Sequence, residues 1–499
     1  MKASSVLKWL APGAAAIAMA SASQAKADTL REALAAAYNN NPTLAGARSA
    51  LRATDEDVPI RRADGLPSID TNSQYIEVIR PNAANFFQPD RFINSRASLG
   101  VPIYNGGAVK NGIKASKERV AAGRADLRAT ESAIFSRTVA AYMDVLRTEA
   151  LAGLTANQVE VLTVTLEAST QRFEIGDLTR TDVAQAQSRL ALAQADAQTA
   201  LSNLVAARET YIQLVGRAPT GLKAPPPLPG LPDAVGEAVI YALSNNPDLI
   251  AAKERAEAAG FDSEVAGSGR LPTLSAFSNY DYNNTLGTVP DRVIAGENPG
   301  DTPTVIDSPQ VATGIQAGLT LRIPIFQGGR VAAQQRQAFA RESQALEQVI
   351  ETERSIIQQV RAAYASWKAA LAVIDSSVVA VEAAEVGLEG VRAENSIGNR
   401  TILEVLIGEQ DLLNARVQLV TARRNAYVAG FTLLAAMGRA EARDLNLDTG
   451  GALYDPVLNY DRVKGKIWDW DRDPEPAPKS TRTVDIPAAS TAYGPPDID

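Results

Sequence analysis

The sequence predicts a mixed α and β membrane protein in which two structural repeats each supply a pair of strands to a shared β-barrel and a long helical hairpin beside it. Three observations lead there: the chain is written twice, its candidate strands alternate apolar and polar residues, and its longest helical regions open at a repeated Gly-Gly pair. Asn41-Pro42 recurs as Asn246-Pro247 and Leu66-Pro67 as Leu271-Pro272, each at a spacing of 205 residues. From Val101-Pro102-Ile103 and Ile323-Pro324-Ile325 onward the spacing is 222, through Gly106-Gly107 and Gly328-Gly329, Ile175-Gly176 and Ile397-Gly398, to Gly216-Arg217-Ala218 and Gly438-Arg439-Ala440. The copies therefore differ by a 17-residue insertion between Pro272 and Pro324. A period this long exceeds the roughly 20 to 50 residues of solenoid repeats, so each copy is a duplicated half-domain. The repeats cover 28–222 and 233–445, and a Pro-rich linker, 223–232, joins them. The tail 446–499 carries Trp468-Asp469-Trp470 and then turns rich in Pro, Ser and Thr, a composition that predicts a largely disordered segment.

The chain opens with Lys2 and Lys8, an apolar stretch from Trp9 to Met19 and the small-x-small site Ala25-Lys26-Ala27, which read as an export signal over 1–27. The apolar stretch is shorter than the roughly 20 residues a membrane span requires. In each half a short helix (about Leu30 to Tyr38, and Ala234 to Leu243) meets Asn-Pro, where proline suits the first turn of the next helix. That helix is expected to run to about Ala63 in one copy and Ala266 in the other, stopped by Leu66-Pro67 and Leu271-Pro272 because proline bars its predecessor from helical geometry.

Extended segments follow. In Gly314 to Ile325 the residues Ile315, Ala317, Leu319, Leu321, Ile323 and Ile325 alternate with Gln316, Gly318, Thr320, Arg322 and Pro324, a period of two with one apolar face. Ala97, Leu99, Val101 and Ile103 repeat the pattern in the first copy, and Ser68 to Ile79 and Thr273 to Tyr282 are the preceding strands. Polar loops, Arg80 to Arg91 and Asn283 to Pro309, separate the members of each pair, and the insertion falls in or beside the second. Gly-Gly then opens helical regions reaching Glu174 and Ser396, about 100 Å at 1.5 Å per residue. Turns at Gly176 and Gly398 reverse the chain into helices that end at Gly216 and Gly438, where glycine fits a C-cap. An Ala-rich stripe (Val183, Leu190, Ala193, Ala197, Leu201, Leu204) reads as coiled-coil packing.

Composition narrows the function. With no His and no Cys, a Ser-His-Asp triad, the usual zinc sites, disulfides and a lipid-modified N-terminal cysteine are excluded, and no cofactor is expected. The formal charge of −8 becomes −11 without Lys2, Lys8 and Lys26, which disfavours nucleic acid as a partner. No nucleotide motif is evident, so energy for transport would come from partners. After residue 27 no apolar run is long enough for a membrane helix, which leaves a soluble periplasmic protein, a secreted one or an outer-membrane β-barrel. Four strands cannot close a barrel, and an open sheet in lipid leaves its edge amides unpaired. The chain must therefore oligomerise: a dimer would give eight strands and a filled interior, a trimer twelve and a lumen.

Strand pairs followed by long helices, twice over, make the chain resemble the TolC family of outer-membrane efflux proteins over nearly all of Asp28 to Ala440. The segments that carry the resemblance are Val101-Pro-Ile-Tyr-Asn-Gly-Gly107 and Ile323-Pro-Ile-Phe-Gln-Gly-Gly329, the turn Phe173 to Val183, and the turn Ile397 to Leu406 continuing to Arg416. The resemblance implies a homotrimer with a 12-stranded barrel, four strands per protomer, in the outer membrane of a Gram-negative bacterium. It implies a helical tunnel continuing into the periplasm, where it meets a periplasmic adaptor and an inner-membrane ABC exporter or proton-driven pump. It also implies a closed periplasmic end, with Thr181 and Asp182 at the first tip's linking positions, Arg400 at the second tip's arginine and Glu404 on a carboxylate ring. Three Glu404 side chains around a threefold axis would favour cations, and Arg400 could donate to Asp182 or to carbonyls across a helix pair. Two residues depart from the family pattern: Asn395 replaces an aromatic linker and Ile407 a second carboxylate.

A local reading competes at the tips. Thr179-Arg-Thr-Asp182 and Thr401-Ile-Leu-Glu404 are also capping boxes for the returning helices, a role compatible with lining a pore. Arg400 aligns with Leu178 and Glu404 with Asp182, so the arginine belongs to the second copy alone. The competing class for the whole chain is a soluble periplasmic coiled-coil scaffold or adaptor, which explains the helices but not the matched strand pairs. An enzyme is a remote third.

Overall fold

A computed structural model of the chain describes residues 28–80, 89–294 and 302–488. The expected export signal, part of the loop 80–91, part of the loop 283–309 and the last residues of the tail lie outside these. In chain order the first repeat is α1 (Leu30–Asn40), α2 (Pro42–Asp55), α3 (Asp57–Ala63), β1 (Ser68–Glu77), β2 (Arg91–Asn105), α4 (Ala108–Glu174) and α5 (Arg180–Val215). The second is α6 (Val235–Asn245), α7 (Pro247–Ser268), β3 (Thr273–Asn284), β4 (Arg292–Ile294), β5 (Thr304–Ile306), β6 (Val311–Arg322), α8 (Arg330–Ser396) and α9 (Ile402–Met437), followed by α10 (Leu458–Val463).

The repeated Asn-Pro is a two-way fastener. Asn41 Oδ1 accepts from the N–H groups of Thr43 and Leu44 at 3.0 and 3.4 Å, capping α2, while its Nδ2 donates to the Leu214 carbonyl at 3.0 Å. Asn246 does the same for α7: it accepts from Asp248 and Leu249 at 2.9 and 3.4 Å and donates to the Ala436 carbonyl at 2.9 Å. Each short helix is thereby tied to one of the last carbonyls of its repeat's return helix, a group that the helix itself leaves without a donor. Another matched pair holds the linker, with the Tyr142 hydroxyl donating toward the carbonyls of Asp28 and Lys223 and the Tyr364 hydroxyl to that of Asp233 at 2.6 Å. The main core gathers here, around Tyr38, Phe135, Tyr142, Tyr211 and Phe431.

The sheet runs β1-β2-β3-β6, antiparallel throughout. Rows such as Ala97, Tyr280 and Ile315, or Val101, Ala276 and Leu319, make one apolar face. The opposite face carries Asn72, Arg96, Asp281 and Gly314 in one row, with Arg96 Nε donating to Asp281 at 2.5 Å. The apolar face is bare: Ile69, Ile315 and Leu319 are 79, 77 and 68 % exposed. Among the described residues, both outer strands, β1 and β6, have one unpaired edge within the protomer.

Below the sheet, Gly107 and Gly329 open α4 and α8 with φ of 85° and 77°, the left-handed geometry that glycine adopts without a Cβ penalty. Each of these helices has 67 residues, about 100 Å. The 36-residue α5 and α9 fold back along them and end at Gly216 and Gly438. Ala193, Ala197 and Leu204 of the predicted stripe are buried.

Four expectations are corrected. The helix predicted to run unbroken to Ala63 stops at Asp55 and restarts at Asp57, because Pro59 has no N–H to donate to the Asp55 carbonyl and its ring crowds that oxygen. The predicted strand to Ile325 ends at Arg322, whereas the equivalent Val101-Pro102-Ile103 is strand. The difference is position: β3 pairs with β2 as far as Asn105, across a register shift between Pro102 and Tyr104 that absorbs the proline, whereas β6 lies at an edge and its one neighbour β3 begins at Thr273, opposite Arg322. The long second loop contains the small hairpin β4–β5. Lastly, much of the tail is docked rather than disordered: Tyr454 N–H donates to the Tyr38 hydroxyl at 2.9 Å, Asn459 to Asp55 at 2.7 Å, and Arg62 to the Lys464 carbonyl at 3.0 Å. Its composition hid this because isolated groups, not a hydrophobic run, supply the contacts: these hydrogen bonds, and the Tyr454 and Tyr460 rings beneath the guanidinium groups of Arg48 and Arg124.

Replacing Asn41 or Asn246 by Ala is expected to cost about 1 to 2 kcal/mol each, with roughly additive losses in the double variant because the sites are far apart. Thermal melts of the purified protein check this, and an unchanged melting temperature in both single variants would show the fasteners to be dispensable.

Candidate functional site: the helical tips

Both turns close with the same backbone pattern. Gly176 and Gly398 donate to the carbonyls of Phe173 and Asn395, each at 3.0 Å, and Asp177 and Asn399 donate to Arg172 and Glu394 at 2.8 and 2.9 Å. The capping boxes are formed. Asp182 accepts from Thr179 N–H at 2.9 Å and from its hydroxyl at 2.7 Å, and Glu404 accepts from Thr401 N–H at 2.9 Å and from its hydroxyl at 3.0 Å. Thr181 stands exposed in the first turn of α5.

The tips part company in charge. At the first, Arg172 closes the outgoing helix and donates to Asp177 in the turn at 2.7 Å. At the second, Glu394 holds the position equivalent to Arg172, and the cation is in the turn: Arg400 Nε donates to Glu394 at 2.6 Å and its Nη1 to Glu404 at 2.6 Å. A carboxylate at a helix C-terminus meets the negative end of the helix dipole, and Arg400 offsets that cost. Arg400 is thus engaged within its own tip and not with Asp182 of the same chain. Asn395, the departure from the family pattern, donates to the Arg400 carbonyl at 2.8 Å and braces the turn.

Glu404 is held down to a pKa of about 2, first by the Thr401 N–H and then by Arg400 and the Thr401 hydroxyl. Asp182 is lowered from its ordinary value by Thr179 alone. Arg400, flanked by Glu394 and Glu404, is raised and stays charged.

Farther from the turns lie ion pairs that the sequence reading missed. Arg416 donates to Glu385 at 2.8 Å and Arg392 to the buried Glu409. Both pairs are placed symmetrically about the peptide bond between Arg400 and Thr401. Arg208 and Glu149, joined at 2.7 Å, are likewise symmetric about the bond between Leu178 and Thr179. In an antiparallel hairpin, residues equidistant from the turn face each other, so this mirror spacing was the available signal.

Two stretches of the chain, residues 33–217 and 240–439, match the family model described as outer membrane efflux protein, one match for each repeat. The chain belongs to the outer membrane efflux protein family. It is 30 % identical over 446 residues to the outer membrane efflux protein BepC of Brucella suis, covering 89 % of this chain and 92 % of that protein. It is 26 % identical over 445 residues to the outer membrane protein TolC of Escherichia coli, covering 87 % of each. Among solved structures it resembles the outer membrane protein VceC of Vibrio cholerae, with a TM-score of 0.67 at 23 % identity over 82 % of this chain and 96 % of that one. It also resembles the CmeC outer membrane channel of Campylobacter jejuni, with a TM-score of 0.70 at 16 % identity over 87 % and 89 %. As a family member it is an outer-membrane efflux channel.

The depressed pKa of Glu404 fixes the sign of its pH dependence. Its contribution to the tip is fully present above the ordinary value of 4.5 and is lost as the pH falls through about 2. The difference in conductance between wild type and Glu404→Gln should therefore stay constant from neutrality down to 4.5. A step in that difference near 4.5 would show that the carboxylate titrates freely and that the tip hydrogen bonds are not kept in the assembled channel.

Proposed function

We propose that three copies of the chain close one 12-stranded barrel in the outer membrane, continue it as a helical tunnel in the periplasm, and gate that tunnel at the tips of α4/α5 and α8/α9. The observation that carries this reading is the sheet itself: four strands, two free edges, one bare apolar face and one polar face. Lipid accepts the apolar face only if every edge amide is paired, and pairing β1 of one copy with β6 of the next does this without a seam. A soluble scaffold would instead leave Ile69, Ile315 and Leu319 in water.

In this reading Asp182 and Glu404 place carboxylates at the periplasmic mouth, with Thr181 exposed beside Asp182. Arg400 neutralises Glu394 and Glu404 and locks the second turn. Opening would require exchange of these tip contacts, driven by a periplasmic adaptor together with an inner-membrane ABC exporter or a proton-driven pump. Cross-linked purification from the native membrane tests the assembly. Recovery of such an adaptor with a heat-modifiable trimer supports the duct, and a soluble monomer without partners sinks it.

Arg400→Ser should raise single-channel conductance in planar bilayers and increase the preference for cations, because Glu394 and Glu404 lose their counter-charge. Adding Glu404→Ala should reverse the gain in cation preference. Wild-type conductance and selectivity in Arg400→Ser would place the closed state on other residues.

A further inference from the structure

The docked tail presents two tryptophans to solvent at the foot of the barrel. Ile467, Trp468 and Trp470 are 69, 71 and 74 % exposed, although the loop that bears them is firmly held. Arg462 grips Asp473 with two parallel hydrogen bonds of 2.6 and 2.7 Å, closing the base of the loop. Lys466 pairs with Asp471 at 2.9 Å, and the Asp471 N–H donates to the Trp468 carbonyl at 3.1 Å, forming the turn at its apex. A bidentate guanidinium–carboxylate pair fixes geometry as well as charge. A flexible tail would collapse its indoles onto the nearest apolar surface, whereas this loop holds them away from the protein.

Its height along the molecule follows from its contacts. The Arg124 guanidinium lies over the Tyr460 ring at 5.1 Å, sixteen residues down α4 from Ala108 and so about 24 Å below the strands. Four residues on, the Lys464 carbonyl accepts from Arg62, which is only six residues before the start of β1. The tail then descends again, and by Thr481 it lies against Gly216, beyond the end of α5. The segment thus climbs toward the barrel, turns, and goes back down, with the tryptophans at the turn.

The apolar face of the barrel extends to the same level. Below the end of β6, Ile323, Ile325 and Phe326 are 58, 95 and 87 % exposed just above the Gly328-Gly329 junction. The hydrocarbon boundary therefore falls near that junction, and the headgroup layer, about 5 to 7 Å deep, lies beneath it. Tryptophan favours that layer, where its ring is partly dehydrated and its N–H can still find an acceptor.

We propose that the loop 462–473 is an interfacial anchor, with Trp468 and Trp470 seated among the phospholipid headgroups of the periplasmic leaflet. It would fix the depth and tilt of the tube from outside the barrel, in a chain that has no cysteine to carry a lipid. This rests on the barrel lying in the outer membrane.

The test uses the full-length channel with Trp367→Phe, which leaves Trp468 and Trp470 as the tryptophans among the described residues. It is reconstituted in phosphatidylethanolamine and phosphatidylglycerol vesicles with or without acyl chains brominated close to the headgroup. The expected result is a blue-shifted emission that is lost in the brominated vesicles and protected from aqueous iodide. Channel currents recorded in the same lipid report insertion separately. Currents with emission that brominated lipid does not quench and iodide does would overturn the anchor while leaving the duct intact. Protection from both quenchers would assign the patch to another copy of the chain and also overturn the anchor. Absence of currents would overturn the duct reading, and the anchor with it. Arg462→Ala supplies a second check: with the clamp gone, quenching by brominated lipid should weaken while the currents persist.

Discussion

Every level of this structure depends on one requirement: a backbone amide in lipid must have a partner. A four-stranded sheet with two free edges cannot meet it alone, so the protomer is half-finished by construction. That explains why its most apolar surface faces outward, and why Ile323-Pro324-Ile325 ceases to be strand where its twin Val101-Pro102-Ile103 does not. It also explains the duplication. In the proposed trimer, two strand pairs and two hairpins per chain would let three chains approximate sixfold symmetry around a lumen, and each repeat brings its own Asn-Pro fastener to tie short helix to return helix.

Much of this architecture was legible because it rests on short-range chemistry. Gly-Gly pairs, Asn-Pro caps, the Thr179 and Thr401 capping boxes and period-two strands act over a few residues, and duplication showed each of them twice. What escaped the reading acts over distance. The break at Glu56 hinges on whether a single proline is tolerated in a helix that its partner copy continues unbroken. The docking of the tail depends on Tyr454 and Asn459 meeting Tyr38 and Asp55 some 400 residues away in sequence. At the tips, resemblance pointed to Arg400 and Glu404, but two partners of Arg400, Glu394 at its guanidinium and Asn395 at its carbonyl, were not read from the pattern.

The repeats are most alike in backbone and least alike in charge. The two turns share their closing backbone hydrogen bonds and their capping boxes, yet Arg172 and Asp177 at one tip are answered by Glu394 and Arg400 at the other, with the signs exchanged between helix end and turn. The first arrangement agrees with the helix dipole. The second opposes it and needs its arginine, so the second tip is the one whose local structure depends on an ion pair.

The free edges of β1 and β6 have a consequence for self-recognition. Main-chain hydrogen bonds are the same for any sequence, so an edge cannot distinguish a sister subunit from a paralogue made in the same cell. Fidelity of assembly has to be written in side chains instead. Side chains of α8 are available for this, with Phe339, Leu346, Val379 and Val386 between 50 and 71 % exposed along its length. In the proposed trimer the barrel edges would supply the adhesion, and the identity of the subunits admitted to it would be decided lower down, along some 100 Å of helix.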